Sequence, residues 1–187
     1  MNLLIAGLVL WSAGHFFKSL APQMRAGMDE KLGKIGGKAV MGVVLLIATV
    51  MIVNGYRAAP MEPAFDPPFW GKYLNSLLMI FAVALIGMGK SRGKMRSVLR
   101  HPMLWGVVIW AFAHLLVNGD VASVVLFGGL GIWALAEMVL INKAQGAWVR
   151  PAPGPISGDI KWLVISAVVF VVIVAVHTWI GPAPFGG

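Results

Sequence analysis

The chain has no cysteine and little charge. The absence of cysteine among its 187 residues excludes disulfides, thiolate nucleophiles, cysteine-ligated clusters and a lipid-bearing cysteine. Only 12% of the residues are charged and only 7 are acidic, whereas 59% are hydrophobic and the mean hydropathy is +0.84. That apolar content exceeds what a water-soluble domain of this size normally buries. The sequence therefore predicts an integral membrane protein.

Long apolar runs predict an all-α fold, a polytopic bundle of about six transmembrane helices in one domain over residues 1–187. Each run is close to the roughly 20 residues that cross a bilayer. The predicted spans are 2–18, 39–56, 69–89, 102–118, 121–141 and 160–180. The connections carry most of the charge, with Gly-Lys clusters and Pro pairs that are typical of non-helical segments. Prolines 151, 153 and 155 predict a short, stiff connection before the last span.

The basic residues fall almost entirely on one side of the predicted membrane. Of the fifteen Lys and Arg residues, all except Arg57 and Lys72 follow the first, third and fifth spans or lie at the start of the sixth. Because basic loops stay in the cytoplasm, both termini are expected on the exoplasmic or periplasmic side, as in a bacterial inner membrane. Insertion and anionic headgroups account for the net charge of +8, so we expect no nucleic-acid partner.

Four histidines, His15, His101, His114 and His177, lie in or at the ends of these apolar runs. An imidazole in lipid is costly and is usually retained because it binds something. Trp110 precedes His114 by one helical turn, so an indole and an imidazole share one face of the fourth span. Such a pair suits a flat cofactor such as haem, with His114 as the metal ligand. The alternative is a buried histidine that hydrogen bonds to a neighbouring helix, with the tryptophan as packing.

Polar groups also mark the ends of the fourth and fifth spans. Arg100 and His101 precede a proline that suits the first position of a helix. Together they could bind an anion such as a haem propionate. The alternative is that they only anchor the helix to lipid headgroups. The sequence 118–120, Asn-Gly-Asp, predicts a tight turn with Asp120 capping the fifth span. Glu137 could pair with Arg100 or His15, or extend to the membrane interface.

Depth along the helices limits which histidines can meet. With a rise of about 1.5 Å per residue, His15 lies about 5 Å from the cytoplasmic end of its span, His114 about 18 Å and His177 about 24 Å. Two axial ligands of one haem favour comparable depth. This estimate pairs His114 with His177 and places His15, His101 and Glu137 nearer the cytoplasm, although helix tilt still permits His15 with His114.

Several short motifs in this order resemble the NnrU family of bacterial membrane proteins over nearly the whole chain. They are Gly14-His15, Arg100-His101-Pro102-Met103-Leu104, Trp110-Ala111-Phe112-Ala113-His114-Leu115-Leu116, Asn118-Gly119-Asp120 and the final His177. The family includes 15-cis-zeta-carotene isomerase of plants and cyanobacteria. The resemblance implies haem b held by two histidines, matching His15 and His114, and cis–trans isomerisation of a hydrophobic polyene in carotenoid biosynthesis. Other members are associated with denitrification and nitric oxide.

The resemblance has one departure and leaves one choice open. Ala111 stands where the plant isomerase has a cysteine, so a ligand exchange that needs a thiolate cannot occur here. The family favours His15 as the partner of His114, whereas the depth estimate favours His177. Both remain candidates.

Two alternatives belong to other functional classes. One membrane helix starts with Arg-His-Pro, and an acidic residue lies near the end of the next helix. This pattern is similar to that of isoprenylcysteine carboxyl methyltransferases. The resemblance implies that Arg100, His101 and Glu137 would bind S-adenosylmethionine. The family's second acidic residue and aromatic pair are missing after Glu137. The other alternative is a non-enzymatic component of a respiratory complex. Glycines 128, 129 and 131 permit close helix packing within or between chains.

Overall fold

The computed structural model describes residues 1–181, and that part of the chain is helical. It contains six α-helices, a 3₁₀ turn at Lys94–Ser97 and no strand apart from an isolated bridge between Pro63 and Asp120. The helices are α1 (Asn2–Leu20), α2 (Pro22–Arg57), α3 (Gly71–Met88), α4 (Pro102–Leu115), α5 (Val121–Gln145) and α6 (Ile156–Ile180). The predicted all-α fold is confirmed for these residues.

Five of these helices are long and apolar enough to cross a membrane, namely all except α4. The chain is therefore an integral, multi-pass membrane protein. With 14 residues, α4 is about 21 Å long, which is shorter than a hydrocarbon core of about 30 Å. A sixth complete span and the orientation of the termini stay predictions.

The expectation of a non-helical connection between the first two spans is wrong. Helix begins again at Pro22, directly after α1, and continues to Arg57 with one interruption at Gly33, where φ is 71° and ψ is 158°. The positive φ is a conformation that glycine adopts without a steric penalty. Methionine, lysine and leucine, which favour helix, are among the residues on either side. The basic residues of this region, Lys31, Lys34 and Lys38, therefore lie within a helix that is broken once.

The described chain forms two compact units, and α1, α2 and α5 make up the first, which comprises Met1–Phe65 and Asp120–Gly146. Its buried apolar residues include Leu4, Leu8, Ile52 and Ala122. Helices α1 and α2 approach so closely at Gly55 that an added Cβ would collide with the backbone of Leu4. A small residue at this contact lets the two helix backbones pack directly.

Helices α3, α4 and α6 make up the second unit, which comprises Asp66–Gly119 and the chain from Ala147 onward. Gly106 of α4 packs against the backbone of α3, where a Cβ would lie 2.8 Å from the carbonyl oxygen of Ala82. The indole Nε1 of Trp162 in α6 donates to the carbonyl oxygen of Ala84 in α3, at 2.8 Å. These contacts fix α4 and α6 against α3. The prediction of a single domain stays a prediction.

The predicted helix ends are largely confirmed. Pro102 begins α4, and the Asp120 side chain caps α5 by accepting from the backbone N–H of Ser123 at 2.8 Å. Asn118 ends α4 by donating from its side chain to the carbonyl oxygen of His114, at 2.8 Å. Residues 151–155 are not helical, as their prolines predicted. The helix starts and turns that frame the histidines are thus encoded locally.

Candidate functional site

Three of the four histidines, those within the long apolar helices and α4, make the same hydrogen bond. In each, the ring Nδ1 lies within hydrogen-bond distance of the backbone carbonyl oxygen one turn earlier. The pairs are His15 with Trp11 (3.0 Å), His114 with Trp110 (2.9 Å) and His177 with Ile173 (3.1 Å). Because a carbonyl oxygen only accepts, Nδ1 must be the donor, and in the neutral ring Nε2 then carries the lone pair. This tautomer is the one that a histidine needs if it binds a metal through Nε2.

His15 and His114 share a second feature that His177 lacks, a tryptophan one turn earlier whose ring packs on the imidazole. The ring centroids are 4.4 Å apart for Trp11 and His15, and 4.9 Å apart for Trp110 and His114. Each tryptophan therefore fixes its histidine twice, once through its backbone carbonyl and once through its ring. We call this arrangement the Trp-x3-His module, meaning Trp11 with His15 in α1 and Trp110 with His114 in α4.

In the first unit, the Trp133 ring of α5 also packs on the module of α1. Its centroid lies 4.7 Å from that of His15 and 5.4 Å from that of Trp11. Trp133 is only 7% exposed. The indole Nε1 atoms of Trp11 and Trp133 are buried and have no hydrogen-bond partner within residues 1–181. The two indole N–H groups without acceptors lie beside the imidazole of His15. They make this aromatic cluster polar, although the helices that carry it, α1 and α5, are apolar.

Glu137 lies one turn beyond Trp133 on α5 and is half-buried. Its Oε2 atom is buried and makes no hydrogen bond in the described part of the chain. At this atom, a hydrogen bond to His15, one of the possibilities that the sequence left open, is not observed within the first unit. A carboxylate oxygen buried without a partner carries an uncompensated desolvation cost.

In the second unit, His114 and His177 line the same small cavity, between α3, α4 and α6. Asn75 and Ser76 of α3 contribute polar groups to its wall, and apolar side chains close the remainder: Met79, Phe170, Ile173 and Val174. The Asn75 side chain donates to the carbonyl oxygen of Ala113 at 2.7 Å, which holds α4 in place next to His114. The sequence singled out His114 and His177 but not Asn75.

The size of this cavity limits what it can hold. Its volume is about 50 Å³, which is room for water-sized molecules, whereas pockets for cofactors are typically about 300–1,000 Å³. The imidazole donors fit haem by their chemistry, but His114 and His177 do not enclose a porphyrin between them in this packing. His177 is also exposed on α6. The pairing of these two histidines as axial ligands stays a prediction.

Arg100 and His101 lie at the start of α4, as predicted. His101 occupies the N-cap position, and its carbonyl oxygen accepts from the backbone N–H of Trp105 at 3.0 Å, while its side chain does not cap the helix. Among residues 1–181 there is no group of three or more His, Cys, Asp or Glu side chains arranged to hold a metal ion.

Comparison with protein families finds a match over nearly the whole chain. The model of the NnrU family, described as NnrU protein, matches residues 3–184. The chain belongs to the NnrU family. No curated protein and no solved structure matches it. Both Trp-x3-His modules and His177 lie inside the region matched by the NnrU family model.

The residues that the sequence reasoning missed are Trp11, Trp133 and Asn75. A signal for Trp11 was present, because the spacing Trp-x3-His occurs in the first span as well as in the fourth. No comparable signal exists for Trp133, because its contact with His15 depends on which faces of α1 and α5 meet.

Proposed function

We propose that this NnrU-family membrane protein binds haem b, with His114 as an axial ligand and His15 and His177 as the other candidate ligands. A bacterial inner membrane is the proposed location. The observation that carries the proposal is the Trp-x3-His module. In it a backbone hydrogen bond from Nδ1 and an aromatic ring fix a histidine whose Nε2 carries the lone pair. Metal-bound histidines commonly donate their other ring N–H in this way.

The protein's own residues would orient the ligand and exclude water. Trp110 holds the His114 ring in one tautomer and one orientation, and Asn75 ties the adjacent backbone to α3. Met79 and Phe170 contribute apolar wall beside the imidazole. When bound, haem b supplies an iron whose oxidation state and axial coordination can change. Because the chain has no cysteine, any ligand exchange must use nitrogen, oxygen or methionine thioether donors and not a thiolate.

For the reaction, we propose cis–trans isomerisation of a hydrophobic polyene, as the family resemblance implies. A polyene would reach the protein from the lipid phase, and α6 is exposed along most of its length. Substrate and site would therefore share an apolar environment. If isomerase activity is absent, a role in nitric oxide metabolism is the next hypothesis to test.

The absorption spectrum of the purified protein tests cofactor binding. We expect a Soret band with sharp α and β bands after reduction, and we expect His114→Ala to remove them. Phe112→Ala is a matched control, because Phe112 is 54% exposed on the same helix two positions away, and it should leave the spectrum unchanged. A colourless but folded wild-type protein would rule out haem binding.

Two further histidine variants assign the second ligand. If His15→Ala, but not His177→Ala, converts a low-spin spectrum to a high-spin one, His15 is the partner; the reverse result assigns His177. Added imidazole should restore the low-spin bands in the variant that lost its ligand, because it replaces the missing ring.

Conversion of a 15-cis carotene to its all-trans product, in cells that accumulate the substrate, tests the reaction. Conversion that depends on His114 supports isomerisation. If haem-loaded membranes give no product, the isomerase proposal is wrong. Binding of S-adenosylmethionine that depends on Arg100 would instead support the methyltransferase alternative.

A further inference from the structure

A second cavity, distinct from the one at His114, lies in the second unit where the end of α3 meets the start of α6. Its volume is about 500 Å³. Three basic side chains line it, Lys90 and Arg92 from the loop after α3 and Lys161 from the first turns of α6. All three are exposed. We call this cavity, defined by these three residues, the basic cavity.

In residues 1–181, no acidic side chain forms an ion pair with the three basic side chains of this cavity. The nearest carboxylate in sequence, Asp159, is 8% exposed and uses both oxygens elsewhere. They accept from the backbone N–H groups of Lys94 at 2.9 Å and Met95 at 3.0 Å. Within the described residues, no carboxylate lies in ion-pair distance of Lys90, Arg92 or Lys161. The cavity therefore presents three basic side chains without an ion-pair partner in the described part of the chain.

The rest of the wall is apolar. Ile86, Met103 and Ile165 line it, from α3, α4 and α6 respectively. Trp162 also lines it, and its hydrogen bond to Ala84 keeps α6 against α3, so the wall is held by a specific contact. Ile86 lies within α3, four residues before Lys90 in the following loop, and Ile165 follows Lys161 by one turn on α6. These two isoleucines therefore lie further into their helices than the basic residues. The cavity is thus basic at the helix ends and apolar toward the helix interiors.

This arrangement of basic and apolar side chains matches an anionic amphiphile whose headgroup lies at the membrane surface. Trp and Lys side chains at a helix end are typical of the interface between headgroups and acyl chains. Basic pockets between membrane helices bind anionic lipid headgroups, because each nearby Lys or Arg attracts the phosphate. A free phosphate would use the three basic residues but would leave Ile86, Met103 and Ile165 without a partner.

We propose that the basic cavity binds one anionic phospholipid, with its phosphate at Lys90, Arg92 and Lys161 and an acyl chain against Ile86, Met103 and Ile165. The basic bias of the loops predicts that this end of the unit lies in the cytoplasmic leaflet. The proposal does not depend on haem, since none of its residues belongs to a Trp-x3-His module.

Native mass spectrometry of delipidated full-length protein in detergent tests this proposal. We expect one molecule of phosphatidylglycerol to bind more tightly than phosphatidylcholine of the same chain length, by about tenfold or more. The triple variant Lys90→Gln/Arg92→Gln/Lys161→Gln should lose that preference. The triple variant Lys31→Gln/Lys34→Gln/Lys38→Gln removes the same number of positive charges from α2 and should keep it.

Two additional measurements distinguish a bound phospholipid from a bound free phosphate. Ile165→Ala should weaken binding of long-chain phosphatidylglycerol, and inorganic phosphate should not displace the lipid. Equal affinity for the two lipids, equal losses in the two triple variants, or displacement by inorganic phosphate would each overturn the proposal. If the first triple variant does not fold, Lys161→Gln alone should show a smaller loss in the same direction, and no loss there would overturn it as well.

Discussion

The hydroxyl groups of Tyr56 and Ser123 lie 2.9 Å apart and join the end of α2 to the start of α5. The hydroxyl of Ser123 is also 2.5 Å from Oδ2 of Asp120, which as a carboxylate only accepts. Because Ser123 has a single hydroxyl proton and donates it to Asp120, Tyr56 must donate to Ser123. A directed chain of hydrogen bonds therefore runs from Tyr56 through Ser123 to the cap of α5.

Replacing Tyr56 with Phe removes the first donor of this chain. We expect the free energy of unfolding to fall by about 0.5–1.5 kcal/mol, the usual net value of one hydrogen bond. Unfolding in mixed detergent micelles measures the change. Tyr73→Phe is the matched control, because Tyr73 is 68% exposed and its hydroxyl loss should have little effect. Equal effects of the two substitutions would show that the hydrogen bond between Tyr56 and Ser123 does not stabilise the protein.

The cap at Asp120 predicts a dependence of stability on pH. Partial burial opposes ionisation, but hydrogen bonds from the side chain and backbone of Ser123 outweigh it and hold the pKa of Asp120 below its ordinary value. A carboxyl group with a lowered pKa in the folded state stabilises the fold above the pKa it has in the unfolded chain. That stability is lost as the pH falls through the folded pKa.

Thermal unfolding from about pH 7 to about pH 3 tests this dependence. Wild-type protein should lose more stability over this range than Asp120→Asn, because asparagine keeps an oxygen that can cap the helix but does not titrate. Parallel pH curves for the two proteins would show that Asp120 does not contribute.

Two glycines of α2 should respond in opposite ways to the same substitution. Gly55→Ala places a methyl group against the backbone of Leu3 and Leu4, so we expect a loss of about 1–3 kcal/mol from overpacking. Gly42→Ala meets nothing within 4 Å and should be neutral or stabilise the helix by up to about 1 kcal/mol. If Gly55→Ala were tolerated as well as Gly42→Ala, α1 and α2 would not cross closely at Gly55.

Replacing Glu137 with Met should stabilise the protein when no ligand is bound. The substitution removes a buried oxygen without a hydrogen-bond partner, a group whose desolvation costs about 1–3 kcal/mol. Glu30→Met, at an exposed position of α2, is the control and should give no comparable gain. A loss of stability in Glu137→Met would show that the carboxylate contributes favourably to the fold.

Much of the helical framework was predictable because its signals are local. Apolar runs predicted most of the membrane spans. Two single residues, Pro102 and Asp120, predicted the starts of α4 and α5. The segment from Pro22 to Lys38 was mispredicted because its charges and glycines are typical of a loop. Each residue there still tolerates helix, and only Gly33 leaves it.

The candidate site was predictable in part. Depth along the helices suggested that His114 and His177 lie near one another, and both line one cavity. The ring contacts of Trp133 with His15 and Trp11 could not be predicted, because they require knowing which side of α5 faces α1. The size of the cavity at His114 likewise depends on side chains from three helices, and no single segment encodes it.

The proline-rich connection before α6 is closely packed at its end, and this has a practical consequence for protein engineering. Gly154 touches the carbonyl group of Arg92, and Gly158 packs on Gly93, so a side chain at either glycine would strike backbone. A protease site, an epitope or a fluorescent protein inserted between residues 154 and 158 should therefore disrupt the second unit. Val149, which is 88% exposed, offers a tolerant position for such an insertion only a few residues earlier.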